Sequence, residues 1–169
     1  MDMEVIELID KKDLVKAIKF VAVNFKESEK SFYSSTGLQE AFVSLQGYDI
    51  FDTSELEKMV KSGRVKVFAC FQGSLMKAVS ALEINSGKIL FFSADTTSAG
   101  KEARELLLES MVNERENAAD KRLNILAFVG QEKSLVELGF VRINSSVFHF
   151  FDIKFIAMRY DYAQFDIER

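Results

Sequence analysis

The hydrophobic positions near the N-terminus follow first the spacing of a strand and then that of a helix. The run EVIELI at residues 4–9 predicts a first strand. A helix is predicted to follow, with Asp10 or Asp13 as its cap, and to run to about Phe25. Its apolar residues recur at steps of four, three and four along one stripe: Leu14, Ile18, Val21 and Phe25.

Shorter patterns follow as far as residue 94. A second helical stretch is predicted over residues 37–45, and Thr53 or Ser54 is predicted to cap a short helix, ELEKMVKSG, that stops at Gly63. Three strand-like runs come next, joined by the turn residues Gly-Ser and Asn-Ser-Gly: 65–72, 75–84 and 88–94. Such short connections predict an antiparallel meander.

The second half of the chain predicts a helix, a strand and a strand-rich end. The helix begins near Ala99, ends before Asp120, and turns four residues toward a sheet: Ala103, Leu106, Leu107 and Met111. A helix of crossover length separates 88–94 from the next apolar run, 123–129, so we expect these two strands to be parallel. The remaining predicted segments are a short helix and three strands: 131–138, 141–143, 146–151 and 155–161.

Composition narrows the class of protein. With 169 residues, 48% hydrophobic and 28% charged, the chain suits one α/β domain over residues 1–169, a mixed, mostly antiparallel sheet flanked by helices. The net charge is −4 and the basic residues are scattered, so no nucleic-acid partner is predicted. No apolar run approaches the roughly 20 residues of a membrane span, and no export signal is visible. The expected location is cytoplasmic.

Metal and disulfide chemistry are not indicated either. The single cysteine, Cys70, lies in the apolar run VKVFACF, where a buried, unreactive thiol is expected. One cysteine excludes an intrachain disulfide framework and a cysteine-rich zinc site. We therefore predict no metal.

The candidate chemistry begins where the strand at 88–94 ends in a small polar loop that opens into a helix. Thr96, Thr97 and Ser98 are candidate caps, and the amides of Ala99 to Ala103 are expected to lack partners inside the helix. Free amides at a helix start suit a phosphate. The same pattern also occurs in crossovers that bind nothing, so it favours an anion site without proving one.

The predicted order of elements, β-α-α-β-β-β-α-β-α-β-β, resembles that of the GNAT-type N-acetyltransferase superfamily. The resemblance covers nearly the whole chain and is sharpest at LEKMVKSGRVKVFACFQG, ALEINSGKILFFSAD and SLVELGF. It implies that the strand before the main helix carries a bulge whose amides face an acyl thioester. It also implies that the helix start, usually R/Q-x-x-G-x-G/A, wraps the pyrophosphate of coenzyme A, with acetyl-CoA as co-substrate.

The family's motif is usually followed by two leucines, and aligning them with this chain shows which residues stand at the motif positions. Leu106-Leu107 place Ser98 at the Arg/Gln position, Lys101 at the first glycine and Ala103 at the final small residue. Glu102 brings a negative charge to the helix start, and Lys101 is either a compensating phosphate contact or a solvated lysine. The residues that the resemblance implies at the coenzyme are Phe92, Ser93, Ala94, Ser98, Ala99, Gly100, Lys101, Glu102, Ala103 and Ser134.

The resemblance also implies where an acid and a base would stand. The family's tyrosine acid falls at Leu135, and Ser134 is either a substitute donor or an ordinary helix residue. A thiolate leaves with little help because its reference pKa is near 8.5. Glu83 is the carboxylate expected nearest the acyl group, as a base acting directly or through a water, although a solvent-facing strand residue would show the same pattern. Asp95 comes directly after a strand, where an aspartate is typical of a turn residue whose side chain bonds nearby main-chain groups.

The oxyanion would be stabilised by main-chain donors at residues 92–94, one of which is expected at the bulge. Near the C-terminus we expect His149 to be packed in its strand. The surrounding phenylalanines lie on both faces of that strand, so at least one should meet something outside a single layer. A second copy of the chain, in a homodimer, would satisfy it.

The sequence therefore predicts transfer of an acetyl group from acetyl-CoA to a small-molecule or peptide amine by direct attack. One alternative is a degenerate GNAT-like module with weak or no CoA binding, acting in protein interaction or regulation. Another is an unrelated ligand-binding α/β sensor.

Overall fold

The computed structural model describes residues 2–28, 52–150 and 153–161, so the helix predicted at 37–45 lies outside the described residues. The described strands are β1 (Met3–Leu8), β2 (Val65–Gln72), β3 (Leu75–Glu83), β4 (Lys88–Ala94), β5 (Arg122–Phe128), β6 (Val141–Phe150) and β7 (Ile153–Asp161). The described helices are α1 (Lys11–Ser28), α2 (Thr53–Lys61), α3 (Ser98–Glu114) and α4 (Glu132–Leu138), with a 3-10 turn at Val129–Gln131.

These elements form one seven-stranded sheet in the order β1-β2-β3-β4-β5-β7-β6. Strands β1 to β4 are antiparallel neighbours, β4 and β5 are parallel, and β7 lies antiparallel between β5 and β6. The predicted meander, the parallel crossover and the mixed, mostly antiparallel sheet are confirmed. Strands β2 and β4 begin and end where the alternation of the sequence predicted.

Three local predictions need correction. Asp52, not Thr53 or Ser54, caps α2, because its carboxylate accepts the amides of Ser54 at 2.9 Å and Glu55 at 3.3 Å. The segments 141–143 and 146–151 are not separate strands, since β6 runs through with an irregular pairing between Arg142 and Val147. His149 is not packed as predicted but exposed on β6, which is the last strand of the described sheet and pairs with β7.

Helices cover both faces of the sheet. On one face α1 and α2 bury Leu14, Val21 and Leu56 against β2 to β4. On the other, α3 and α4 bury Leu107, Met111 and Leu135. Each fully buried side chain of this size contributes roughly 1.5–3 kcal/mol relative to an exposed one, so both faces are firmly held.

Cys70 belongs to the face covered by α3 and is completely buried. Burial raises the pKa of its thiol above the ordinary value, and the nearby Glu102 carboxylate adds to the effect. A thiol held protonated in an apolar layer is a poor nucleophile. The prediction that Cys70 is buried is confirmed.

A buried arginine fixes the edge from which β4 starts. Arg115, at the end of α3, donates from Nη1 to the carbonyls of Ile84 at 2.8 Å and Asn85 at 2.9 Å, and from Nη2 to the carbonyl of Asp120. A Cβ on Gly87 would lie 3.0 Å from the guanidinium carbon. The guanidinium thus ties the β3–β4 turn to the loop after α3, and through it sets the position of β4.

Candidate functional site

Strands β4 and β5 separate soon after they begin. They pair at Lys88 with Asn124 and at Ile89 with Ile125, and no further pairing is found between them in the described chain. Each strand continues on its outer side, β4 with β3 as far as Ala94 and β5 with β7 as far as Phe128. A gap between the two strands therefore opens past Ile89.

The bulge of β4 lies nearer the start of the strand than the predicted residues 92–94. Ala81 pairs with Phe91 but Leu82 pairs with Ile89, so Leu90 is the additional residue in β4. None of residues 92–94 sits at a bulge, and that part of the prediction is wrong. The bulge coincides with the point where β4 leaves β5.

The main-chain groups of β4 that face the gap follow from its pairing with β3. The amide of Asp95 donates to the carbonyl of Lys77 at 3.0 Å, so Asp95 faces β3. Because successive residues of an antiparallel strand face opposite sides, Ser93 also faces β3, whereas Phe92 and Ala94 direct their N–H and C=O groups into the gap. Two of the three predicted amide donors are thus correctly oriented.

The loop after β4 is built on Asp95. Its Oδ1 accepts the amide of Thr97 at 3.0 Å and the Thr97 hydroxyl, and its Oδ2 lies 3.3 Å from Nζ of Lys77. Burial alone would raise the pKa of this carboxyl, but the hydrogen bonds from Thr97 and the charge of Lys77 outweigh it and hold the pKa below its ordinary value. The Asp95 carboxylate therefore stabilises the turn, as predicted, and is a weak base.

Fewer amides are free at the start of α3 than predicted. Thr97 is the cap, and its carbonyl accepts the amides of Gly100 at 3.0 Å and Lys101 at 3.3 Å. From Gly100 onward the amides are therefore bonded. Those of Ser98 and Ala99 precede the first helical bond and find no acceptor among the described residues.

Gly100 is required by a close approach. A Cβ at this position would lie 2.1 Å from the carbonyl oxygen of Asp95 and 2.5 Å from its Oδ1. The absent side chain lets the first turn of α3 pack directly on the end of β4. This contact positions the free amides beside the gap.

A pocket of about 430 Å³ lies where the gap, the Asp95 loop and α3 meet. Its walls come from the ends of β4 and β5, the first two turns of α3, and α4. The polar and charged residues that line it are Asn24, Ser93, Asp95, Thr96, Thr97, Ser98, Lys101, Arg104, Gln131, Ser134 and Glu137.

Two cations face this pocket from one side of α3. Lys101 is exposed, and Arg104, one turn further on, is half-buried. Burial lowers the pKa of the Arg104 guanidinium below its ordinary value, while the carboxylates of Glu137 and Asp95 oppose that shift. Among the described residues Arg104 has no hydrogen bond and no carboxylate within ion-pair distance. The pocket thus presents the charges of Lys101 and Arg104 and the free amide of Ser98 beside the carboxylates of Asp95 and Glu137. The two cations and the amide suit an anion.

The structure separates the predicted coenzyme residues into two groups. Those that line the pocket are Ser93, Ala94, Ser98, Lys101 and Ser134. Those that do not line it are Phe92, Ala99, Gly100, Glu102 and Ala103. Among the second group Ala103 is buried in the core, and Glu102 is exposed away from the pocket, so its side chain does not occupy the anion's place.

Glu83 lies at the end of the sheet opposite the pocket. It pairs with Lys88 at the start of β4, roughly 20 Å by strand rise from Asp95 at the other end. Its carboxylate contacts Nη2 of Arg64 at 3.1 Å and the Ser86 hydroxyl at 2.8 Å. Glu83 does not line the pocket, so its role as the base stays a prediction without support from this geometry.

The acid position of the family is occupied by an apolar residue. Leu135 is 2% exposed and belongs to the core on the α3 face. Ser134, its neighbour, turns into the pocket instead. A hydroxyl is thus present on α4, one residue from the position of the missing tyrosine.

Two residues of the site were missed by the sequence analysis. Arg104 supplies the half-buried charge. Gln131 bridges the gap, donating from Nε2 to the carbonyl of Phe92 at 2.9 Å and accepting the amide of Phe128 on Oε1 at 3.3 Å. No group of side chains suited to a metal is found in the described ranges, and none of the helices there is long and apolar enough to cross a membrane.

Solved structures share this architecture. The PaiA N-acetyltransferase of Thermoplasma acidophilum, in complex with coenzyme A, matches with a TM-score of 0.68 and 16% identity, over 96% of this chain and all (100%) of that one. An N-acetyltransferase from Staphylococcus aureus matches with a TM-score of 0.62 and 18% identity, over 95% and 98% of the two chains.

A third match carries both of its ligands. The spermidine N-acetyltransferase of Vibrio cholerae, in complex with CoA and spermine, gives a TM-score of 0.61 and 12% identity over 94% of each chain. No protein-family model and no curated protein matches the sequence. The fold of this chain is that of the GNAT-type N-acetyltransferases, and the recognition of a divergent GNAT-type chain is confirmed at the level of the fold.

Proposed function

We propose that this chain is an acetyl-CoA-dependent N-acetyltransferase that transfers an acetyl group to an amine by direct attack. The observation that carries the proposal is the half-buried Arg104, which has no hydrogen bond or ion pair among the described residues and lines the same pocket as Ser98, whose amide is free, at the end of the gap between β4 and β5. A phosphate at the mouth and a thioester arm in the gap would use both features. Two solved chains of this fold are described as complexes with coenzyme A.

The proposed reaction needs few catalytic side chains. The amine nitrogen forms a bond to the thioester carbon and loses a proton to solvent, the carbon–sulfur bond breaks, and the thiolate takes up a proton. The amides of Phe92 and Ala94, which face the gap, are our candidates to stabilise the oxyanion. Ser134 is our candidate proton donor, and an α-amino acceptor with a reference pKa near 7.7–8.0 is partly unprotonated at neutral pH and needs no strong base.

The proposal has two further parts that come from the sequence. The acceptor is a small-molecule or peptide amine, and the polyamine of the Vibrio cholerae structure makes spermidine and spermine the first compounds to assay. We also propose a cytoplasmic location and a homodimer. Support for the dimer is the edge strand β6, which exposes Val141, Ile143, Val147 and Phe148.

The degenerate module remains the second candidate because three motif positions have changed. Ser98 stands where the family has arginine or glutamine, Lys101 where it has glycine, and buried Leu135 where it has a tyrosine. None of these changes removes a main-chain donor, which is why we favour the enzyme.

Thermal unfolding with and without acetyl-CoA tests the proposal first. Ligand at about 100 times its dissociation constant adds roughly 2.7 kcal/mol to the free energy of unfolding. Release of free thiol in the presence of a panel of amines then separates turnover from binding. A shift without thiol release supports the module, and no shift at millimolar ligand rejects coenzyme A as the ligand.

A further inference from the structure

The side chain of Gln131 stands between the two separated strands. It extends from the 3-10 turn after β5, with Nε2 2.9 Å from the carbonyl oxygen of Phe92 in β4 and Oε1 3.3 Å from the amide of Phe128 in β5. A primary amide carries one acceptor and two donors, as a peptide unit carries one of each. Gln131 therefore makes one hydrogen bond to each strand, as a residue of an intervening strand would.

The two groups that Gln131 occupies are the ones that an extended ligand in the gap would need. Phe92 and Ala94, whose main-chain groups face the gap, lie beyond the last pairing of β4 with β5. A ligand that runs between the strands would pair with them as a strand does. In the structure the carbonyl of Phe92 and the amide of Phe128 are already satisfied by Gln131.

Gln131 also divides the space between the strands. The outer pocket of about 430 Å³ and an inner space of about 20 Å³ share Ser93, Phe128 and Gln131 in their walls. The inner space is otherwise enclosed by apolar residues of β4 and β5, among them Leu90 and Ile125, and has room for about one water. The glutamine amide is the partition between them.

We propose that Gln131 is a gate in the strand gap. A thioester arm entering from the outer pocket reaches the bulge at Leu90 only when the glutamine side chain leaves Phe92 and Phe128. The inference rests on the proposed function, since it takes acetyl-CoA as the ligand. It makes Gln131 the residue that sets how deeply a ligand penetrates and how fast it enters.

The test compares three substitutions in the full chain. Gln131→Ala removes both the bridge and the volume, Gln131→Met keeps most of the volume without the bridge, and Val129→Ala on the same turn is the matched control that leaves the bridge in place. Isothermal titration and stopped-flow binding of acetyl-CoA are measured for each. Hydrogen exchange at the amide of Phe128, measured without ligand, reports the bridge independently of any ligand.

The gate predicts that Gln131→Ala binds acetyl-CoA roughly three- to tenfold more tightly than the unsubstituted chain, chiefly through faster association, because two modest hydrogen bonds no longer compete with the ligand. Gln131→Met should gain less, since its side chain still fills the gap. The Phe128 amide should exchange faster in both variants, and Val129→Ala should change neither quantity.

Each other outcome is decisive. Equal or weaker binding by Gln131→Ala, where the unsubstituted chain binds, overturns the gate and shows that Gln131 holds the ligand or is irrelevant to it, while the proposed function stands. Binding by Gln131→Ala alone would be the strongest support. If none of the four proteins binds, the proposed function fails, and the gate fails with it. Unchanged exchange at Phe128 would show that the bridge does not form in solution.

Discussion

The two cations of the pocket are predicted to contribute very unequally to coenzyme binding. Arg104 is half-buried, has no ion pair among the described residues, and offers a guanidinium that can bind a phosphate through two parallel bonds. A hydrogen bond to a charged group of this kind contributes roughly 1.5–3 kcal/mol. Lys101 is exposed to solvent, where an ion pair contributes only about 0.2–1 kcal/mol.

These magnitudes translate into affinities. Arg104→Met should raise the dissociation constant for acetyl-CoA roughly 10- to 100-fold, and Lys101→Met less than about fivefold. Arg104→Lys should fall between them, because it keeps the charge and loses the planar fork. The measurement is isothermal titration at two salt concentrations, and the smaller loss at Lys101 should shrink further at high salt. Lys133→Met, an exposed change outside the pocket, is the control.

The stability of the free protein supplies an independent check. Burial without an ion pair disfavours the charged form of Arg104, so a methionine of similar length should leave the melting temperature of the ligand-free protein unchanged or raise it. The argument is refuted if Arg104→Met binds as well as the unsubstituted chain, or if Lys101→Met loses more affinity than Arg104→Met. A large fall in melting temperature would show that Arg104 has a structural partner that this argument omits.

Three predictions concern the frame of the site. Gly100→Ala should destabilise the fold by about 1–3 kcal/mol, seen as a lower denaturant midpoint, because its Cβ would overlap the carbonyl of Asp95; Gly63→Ala, which meets open space but keeps a positive φ, should cost less. The lowered pKa of Asp95 contributes stability that is complete above pH 4 or so and is lost as the pH falls through the folded pKa, so Asp95→Asn should flatten the acid limb of an unfolding-against-pH curve. Arg115→Met should cost about 2–4 kcal/mol, because three part-buried carbonyls lose a charged donor, and should lower the melting temperature more than Arg122→Met on the surface.

The sheet could be predicted because the hydrophobic pattern of each strand agrees with the contacts that the strand makes in the structure. Strands β2 and β4 are bounded by turn residues and buried through most of their length, so apolar runs alone gave their limits. The parallel pairing of β4 and β5 followed from the length of the intervening helix. The caps were harder, since Asp52, Thr53 and Ser54 all suit the role and only the backbone geometry selects Asp52.

The position of Glu83 relative to the pocket depends on strand direction. An antiparallel neighbour brings its end to the start of β4, so Glu83 at the end of β3 lies beside Lys88. Helix α3 leaves from the opposite end of β4, where the pocket lies. The predicted antiparallel meander already implied this separation.

Arg104 and Gln131 were missed by the sequence analysis. Arg104 lies off the buried stripe of α3 that includes Ala103 and Leu107, so the sheet-facing periodicity of α3 did not draw attention to it. Gln131 acts through a contact 39 positions away in the chain, with Phe92. A side chain that bridges two separated strands has no local signature in the sequence.

The changed residues of the coenzyme motif therefore affect the side chains of the site but not its main-chain features. The gap, the bulge and the free amides of Ser98 and Ala99 are main-chain features, so they persist when side chains change, as the shared fold at 16% identity illustrates. Side chains decide what the frame accepts. If binding depends on the main chain alone, removal of Arg104 and Lys101 together would leave most of the affinity; if the charge is decisive, the glycine lost at position 101 has been offset by a cation one turn further along α3. The double substitution separates these two accounts of the same fold.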